Sequence, residues 1–287
     1  MRICTFTSPS GQSWGVIEGD GIVDLGIRPE VEAPTFQHAL ATSSLLDVAM
    51  YAAGCTADWS LDQVRLRPPV PDPGKILCVG LNYADHVTEM NRDRADDPTI
   101  FTRFADTLIG HGDAIAKPSF SEQLDFEGEL AVVIGVPARH VTTEQAMEHI
   151  AGYTCFNDAS LRDFQRHTHQ FTPGKNFPAT APCGPWMVTR DDLTDFSAAK
   201  LTTSLNGEVV QSASLDHMVH SVAEVVAYCS QWTELRSGDL IAMGTPGGVG
   251  AGRTPPLWMK DGDVCEVSIT GIGTLTSPVE EVRHHAG

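Results

Sequence analysis

Positive charge is scarce in this sequence. Only 19 Lys and Arg stand against 37 Asp and Glu in 287 residues, for a formal net charge of −18. So acidic a surface repels phosphate backbones and anionic headgroups, which excludes nucleic acid and membrane as main partners. An anionic substrate would need a local cation or metal to hold it. Paired cysteine is missing as well: the seven cysteines are scattered, odd in number and form no C-x-x-C. A reducing cytoplasm suits this pattern better than a disulfide framework. No apolar run is long enough to span a bilayer, and the opening MRICTFTSPSGQSWG lacks the apolar core of a signal peptide, so a cytoplasmic protein is expected. G-x-S-x-G and H-E-x-x-H are also absent, which removes the serine-hydrolase elbow and the zinc-protease helix. Regular alternation of strands and helices is lacking, which argues against a Rossmann fold or a TIM barrel.

What the sequence does contain is mostly strand, and a strand-rich α+β fold is expected. Residues 1 to about 66 alternate as short strands with a turn at Gly19-Asp20-Gly21, and one modest helix is expected between His38 and Ala53. The segment RPPVPDPGK (67–75) reads as a stiff connector, so a small N-terminal domain (1–70) and a catalytic domain (71–287) are expected. After it, ILCVGLN is a buried strand, and TEMNRDRADDPT (88–99) is polar and patternless, a candidate mobile loop. Capping boxes at Thr142-x-x-Gln145 and Ser221-x-x-Glu224 open two helices, and Asn206-Gly207 marks a hairpin. The segments AGYTCFND, LIAMG, DVCEVSITG and TLTSPV are all strand-like.

Chemistry concentrates in a few places. In LDFEGELAVVIG (124–135) strand alternation puts Asp125, Glu127 and Glu129 on one face, about 6.6 Å apart per pair. Three like charges so aligned are unfavourable without a compensating cation. Asp158 ends a second apolar strand, and two strands delivering acids at their ends can build an oxygen-only site for Mg²⁺, Mn²⁺ or Ca²⁺ rather than Zn²⁺. Solvated acids at an exposed strand end are the plainer alternative. In HVTE, His86 and Glu89 stand at i, i+3, a spacing at which a carboxylate can orient an imidazole as general base; such pairs also arise by chance on surfaces. The glycine run GTPGGVGAG (244–252) is not followed by Lys-Ser or Lys-Thr, so it reads as a backbone-lined turn beside a ligand, with Thr245 offering a hydroxyl. Lys175, in GKNFPATAPCGPW, can hold a carboxylate. Cys78, Cys155 and Cys265 sit on apolar strand patterns as core residues, and His167 and His169 are read as a structural pair.

The joint order of these stretches is more specific than any one of them. KILCVGLNYADH, LDFEGELAVVIG, GYTCFNDASLRD, GKNF, NGEVVQ, SGDLIAMGTPGGVG and GDVCEVSITGIG resemble, in sequence and order, the fumarylacetoacetate hydrolase family from about Lys75 to Val279, its acylpyruvate hydrolases in particular. The resemblance implies a mixed β-roll catalytic domain behind a small accessory domain, a homodimer, and a divalent metal, Mg²⁺ or Mn²⁺. It implies Glu127, Glu129 and Asp158 as ligands, with Asp125 supporting them from behind. Lys175 would hold substrate and metal surroundings, and His86 with Glu89 would form a water-activating dyad on a closing lid. Arg103, Arg162, Gln165 and Thr245 are expected to line the pocket, the arginines making it locally positive. The family often has lysine where FTRF places Arg103, and Leu161 and FPATAPC also depart from its usual pattern. The activity so implied is hydrolytic cleavage of a carbon–carbon bond in a small anionic 2,4-dioxo acid, of acylpyruvate or fumarylpyruvate type, giving pyruvate and a carboxylic acid. A decarboxylase, hydratase or keto–enol isomerase of a 2-oxo acid on the same scaffold is the rival. A non-catalytic metal- or carboxylate-binding protein is a third reading, against which HVTE argues, because binding alone needs no base.

Overall fold

The computed structural model describes residues 1–89 and 96–283. The chain opens with strands β1 (Arg2–Ser8), β2 (Gly11–Glu18) and β3 (Gly21–Asp24), then helices α1 (Phe36–Thr42) and α2 (Leu45–Ala52). Two helices thus replace the one expected over 38–53. The reason is the Ser43-Ser44 pair: Ser44 accepts the Asp47 amide while Asp47 accepts the Ser44 amide, a reciprocal cap that starts a new helix. Strands β4 (Trp59–Ser60), β5 (Arg65–Arg67) and β6 (Ile76–Gly80) lead into helix α3 (Ala84–Glu89). Of the polar stretch 88–99 read as a mobile loop, residues 90–95 lie outside the described residues.

Then come β7 (Thr99–Arg103), β8 (Leu108–Ile109), β9 (Ile115–Pro118), β10 (Leu124–Asp125), β11 (Gly128–Ile134), α4 (Thr143–Ala146), β12 (Ile150–Asn157) and β13 (Ser160–Leu161). Two single-turn helices, α5 (Arg162–Gln165) and α6 (Thr172–Lys175), precede β14 (Ala181–Thr189). The chain continues through β15 (Lys200–Leu205), β16 (Glu208–Ser214), α7 (Val222–Trp232), β17 (Leu240–Ala242), β18 (Val264–Ile269) and β19 (Gly273–Val282). Asn206 and Gly207, both at positive φ, join β15 to β16 as the hairpin signal requires.

A large mixed sheet runs in the order β4-β3-β2-β1-β14-β12-β11-β17-β6-β7. Every residue of β11 is buried, because the sheet's centre is covered on both faces, so the run GELAVVI shows no polar alternation. The N-terminal strands extend this same sheet, since β1 pairs antiparallel with β14 through Arg2↔Val188 and Ile3↔Met187. The proline-rich segment 67–75 therefore links β5, paired with β1, to β6 within one continuous sheet. A second sheet, β16-β15-β18-β19-β9, lies across β11, β12 and β14. On one face of the large sheet α7 buries Val222, Val225, Val226 and Cys229, a stripe at helical spacing. On its other face sits a cluster built around Trp14, Phe36 and Val48. Among the described residues no helix is long and apolar enough to cross a membrane.

Candidate active site

Antiparallel register builds the site. Gly128 at the start of β11 pairs with Asn157 at the end of β12, so the residues just outside those strands fall side by side. The Asp158 amide donates to the Glu127 carbonyl at 2.9 Å, and the Glu127 amide donates to Asn157 Oδ1 at 3.0 Å. Glu127, Glu129 and Asp158 thereby converge, with one carboxylate oxygen of each lying within 4.8 Å of the others. Glu127 and Glu129 are separated by a glycine for a packing reason: a Cβ on Gly128 would lie 2.0 Å from Thr203 Oγ1 of the second sheet. The predicted continuous strand is in fact broken at Phe126–Glu127 into β10 and β11. Asp125 consequently lies behind the triad and reaches Glu127 through Arg162. It accepts from Arg162 Nε at 2.8 Å and from the amides of Gly250 and Ala251 at 2.7 and 3.0 Å.

The buried charges are almost, but not fully, matched. Four buried carboxylates, Asp125, Glu127, Glu129 and Asp158, face three buried cations, Arg103, Arg162 and Lys175. Glu127 pairs with Arg162 Nη2 at 2.6 Å and with the Lys175 ammonium. Burial opposes its charge, but Arg162 and Lys175 outweigh burial and hold the Glu127 carboxyl well below the usual range. Asp158 pairs with Arg103 and, at 2.5 Å, with Lys175 Nζ. Glu129 is the exception: it accepts the Gly244 amide at 2.8 Å and, among the described residues, has no ion-pair partner. Burial, with Asp158 and Glu127 beside it, pushes its carboxyl well above the ordinary value. An all-oxygen donor set with one uncompensated carboxylate fits a hard divalent cation such as Mg²⁺ or Mn²⁺.

Helix α3 supplies the second half of the site. His86 Nδ1 lies 3.2 Å from Glu89 Oε2, and the Gly248 amide donates to both Glu89 oxygens at 3.1 and 3.2 Å. Burial opposes ionisation of Glu89, but the bonds from His86 and Gly248 prevail and lower its pKa. Amides of the glycine run are thus committed to three carboxylates, Glu129, Glu89 and Asp125, and are not a phosphate cradle. His86, the three acids, Arg162, Gln165, Lys175 and Thr245 line one cavity of about 860 Å³, whose walls include Phe101 and Phe171.

Within this geometry the comparisons with known proteins fall into place. Residues 75–280 match the family model described as fumarylacetoacetate (FAA) hydrolase, C-terminal. The chain belongs to the fumarylacetoacetate hydrolase family. It is similar to the Bacillus subtilis (strain 168) protein named oxaloacetate tautomerase YisK, 41% identical over 225 residues, covering 77% of this chain and 75% of that protein. It also resembles the Homo sapiens protein named oxaloacetate tautomerase FAHD2B, mitochondrial, 36% identical over 289 residues, covering 97% of this chain and 91% of that one. Among solved structures, a fumarylacetoacetate hydrolase from psychrophilic Exiguobacterium antarcticum superposes with a TM-score of 0.87 at 36% identity, over 98% of this chain and 100% of its own. A maleylpyruvate hydrolase from Sphingobium sp. SYK-6, solved with manganese(II) and pyruvate, gives 0.81 at 27% identity over 98% and 99%.

As a member of this family the chain brings together most of the residues read from its sequence, with one displaced. Arg103 does not line the cavity. Its guanidinium is fully buried behind Asp158, donating to Ala159 O at 3.1 Å and Thr180 Oγ1 at 2.6 Å. Nor is the floor locally positive, since Arg103 and Arg162 are spent on Asp158, Asp125 and Glu127. Gln165 accepts from Arg162 Nη1 at 2.8 Å. Thr245 donates to Gly128 O at 3.0 Å and accepts from Gln211 Nε2 at 2.7 Å. Gln211 itself was not singled out by the sequence, although it also accepts the Gly128 amide at 3.0 Å and so ties Thr245 to the carboxylate strand. A polar side chain at an inward position of β16 was the available signal. His167 and His169, read as structural, are exposed and border the cavity with Arg166.

Proposed function

We propose that this protein interconverts the keto and enol forms of a small 2-oxo dicarboxylic acid of the oxaloacetate type. The observation that carries this reading is the placement of the His86–Glu89 pair and the carboxylate triad with Lys175 around one cavity. Glu127, Glu129 and Asp158 would hold Mg²⁺ or Mn²⁺, which when bound supplies Lewis-acid stabilisation of charge developing on the 2-oxo oxygen. Since Nδ1 of His86 faces Glu89, Nε2 is the ring nitrogen left to the substrate. There it would take a proton from C3 of the keto acid, and a proton delivered to the 2-oxo oxygen completes the enol. Glu89 would stabilise the imidazolium formed in between. Lys175, already fixed between Glu127 and Asp158, would place positive charge next to the reacting oxygens. The names of the two protein relatives support this direction.

Hydrolysis of a 2,4-dioxo acid is the second reading, favoured by the likeness to the maleylpyruvate hydrolase. There His86 would take its proton from water rather than from C3, and the water oxygen would attack the distal carbonyl. We also read the protein as a homodimer, to be checked by light scattering. The deciding experiment follows deuterium exchange at C3 of oxaloacetate and pyruvate release from acylpyruvates side by side, with Mg²⁺ and with EDTA. Exchange that His86→Ala abolishes, without pyruvate release, is the expected outcome. Full activity in EDTA would overturn the metal assignment, and pyruvate release without faster exchange would favour the hydrolase.

A further inference from the structure

The turn Leu81-Asn82-Tyr83 launches α3, and His86 with it, from the end of β6. Leu81 stands there at φ 60°, a left-handed conformation that a branched side chain keeps only where its surroundings impose it. Asn82 imposes it. Its side chain is fully buried and makes three hydrogen bonds, all to backbone. Nδ2 donates to Met243 O at 2.8 Å and to His220 O at 3.0 Å, and Oδ1 accepts the His220 amide at 2.8 Å. The Asn82 carbonyl accepts the Val219 amide at 2.7 Å, and Tyr83 bridges to Met218 along the same seam.

The segment that Asn82 grips is itself part of the site. Met243 precedes Gly244, whose amide donates to Glu129, and further along Gly248 donates to Glu89. Gly244 lies at φ 91°, and a Cβ there would come within 2.8 Å of both Asn82 Cβ and Val79 O, so this contact has no slack. At the other end of α3, Cβ atoms added to Gly247 and Gly252 would lie 3.1 Å from Asp85 and 2.4 Å from Glu89. The helix is thus pinned at its start by Asn82 and bedded along its length on the glycine run.

Resting on the enolisation reading above, in which His86 is the base, we propose that Asn82 is a positioning residue for that base. By fixing the start of α3 against Met243 it sets the reach of the imidazole over the carboxylate floor. Asn82 does not line the cavity, although Leu81 and His86 on either side of it do. The amide side chain suits the task because it donates to two carbonyls and accepts from an amide at once, which neither a carboxylate nor an apolar side chain can do. A misplacement of about 1 Å costs a proton transfer about 10² in rate.

The test follows deuterium exchange at C3 of oxaloacetate with Mg²⁺ in wild type, Asn82→Ala, Asn82→Asp, His86→Ala and the Asn82→Ala/His86→Ala double variant. Asn82→Asp keeps the shape and the acceptor but gives up both donated bonds, so it probes the same clamp should Asn82→Ala fail to fold. Turnover is expected to fall about 10²-fold in either single variant, while KM and the calorimetric dissociation constant of Mg²⁺ hardly move. On the residual exchange of His86→Ala, adding Asn82→Ala should cost nothing further, because the clamp acts through the base. An equal loss with and without His86 would overturn the positioning role and leave Asn82 a general support of the fold. Exchange lost in His86→Ala but intact in the Asn82 variants would sink the positioning role alone. Exchange intact in His86→Ala would sink the base and the positioning role with it.

Discussion

The two halves of the site are held in opposite ways. The carboxylate floor is fixed by the register of β11 and β12 in the middle of the sheet, and its acids are cross-braced by Arg103, Arg162 and Lys175. The dyad rides on the six-residue helix α3, and Glu89 is tied to the glycine run through the Gly248 amide. One half is set by the sheet, the other by a few local bonds. Chelation demands fixed oxygens, whereas proton transfer needs a base that can meet its substrate, so each half has the kind of support its task requires. Removing a part should therefore do different things in each half.

The largest effect is expected on the floor. Glu127→Ala or Asp158→Ala should abolish activity, and Asp158→Ala should also lower stability by about 3–5 kcal/mol, because the buried Arg103 loses its carboxylate. Melting curves with and without Mg²⁺ check this, since metal should raise the melting temperature of wild type but not of these variants. On the dyad side, His86→Ala should cut turnover by about 10² to 10⁴ while leaving metal affinity unchanged. Adding Glu89→Ala should make little further difference, as the two act as a unit. An unchanged rate in His86→Ala would show the pair to be a surface accident. Lys175→Met stands between the halves, and steady-state kinetics should show a higher KM and a turnover lower by about 10².

The sharpest contrast lies within the floor itself. Glu129→Gln should abolish metal binding yet raise the melting temperature of the metal-free protein at neutral pH, by about 2–4 °C per kcal/mol recovered. The sign follows from its raised pKa: the ionised side chain is disfavoured in the folded state, so its penalty is present above the ordinary value of 4.5 and fades as pH falls towards it. The gain over wild type should shrink along the same course in melting scans from neutral to acid pH. The smallest effect is expected for Gln211→Met, a rise of a few-fold in KM from a less firmly held Thr245, measured in the same assay.

These contrasts also mark how far the sequence was readable. Ligand positions two apart in E-x-E and a His–Glu pair three apart in HVTE are local patterns, and Asp158 was visible because it ends an apolar strand. Arg103, by contrast, had a donor's chemistry but a location decided by Asp158 and Thr180, 55 and 77 positions away. Gln211 acts on Gly128, 83 positions distant, through the packing of one sheet on another, which no periodicity announces. His167 and His169 were legible only as a pair, because their place at the cavity's rim depends on where α5 and α6 anchor the segment between them. In the fold, strand and cap signals placed most elements, while the joining of β1 to β14 depended on an edge pairing between distant segments.

The cysteines have a consequence for the bench. Burial pushes the thiols of Cys155, Cys229 and Cys265 up to about 12, and those of Cys4, Cys78 and Cys183 rise for the same reason. Cys55, just beyond α2, is the one exposed thiol of the seven. The natural chain therefore presents a single address for a nitroxide label, with no cysteine to be engineered in or out. With paramagnetic Mn²⁺ added, the distance from that label to the ion would locate the metal by electron spin resonance, independently of any catalytic assay.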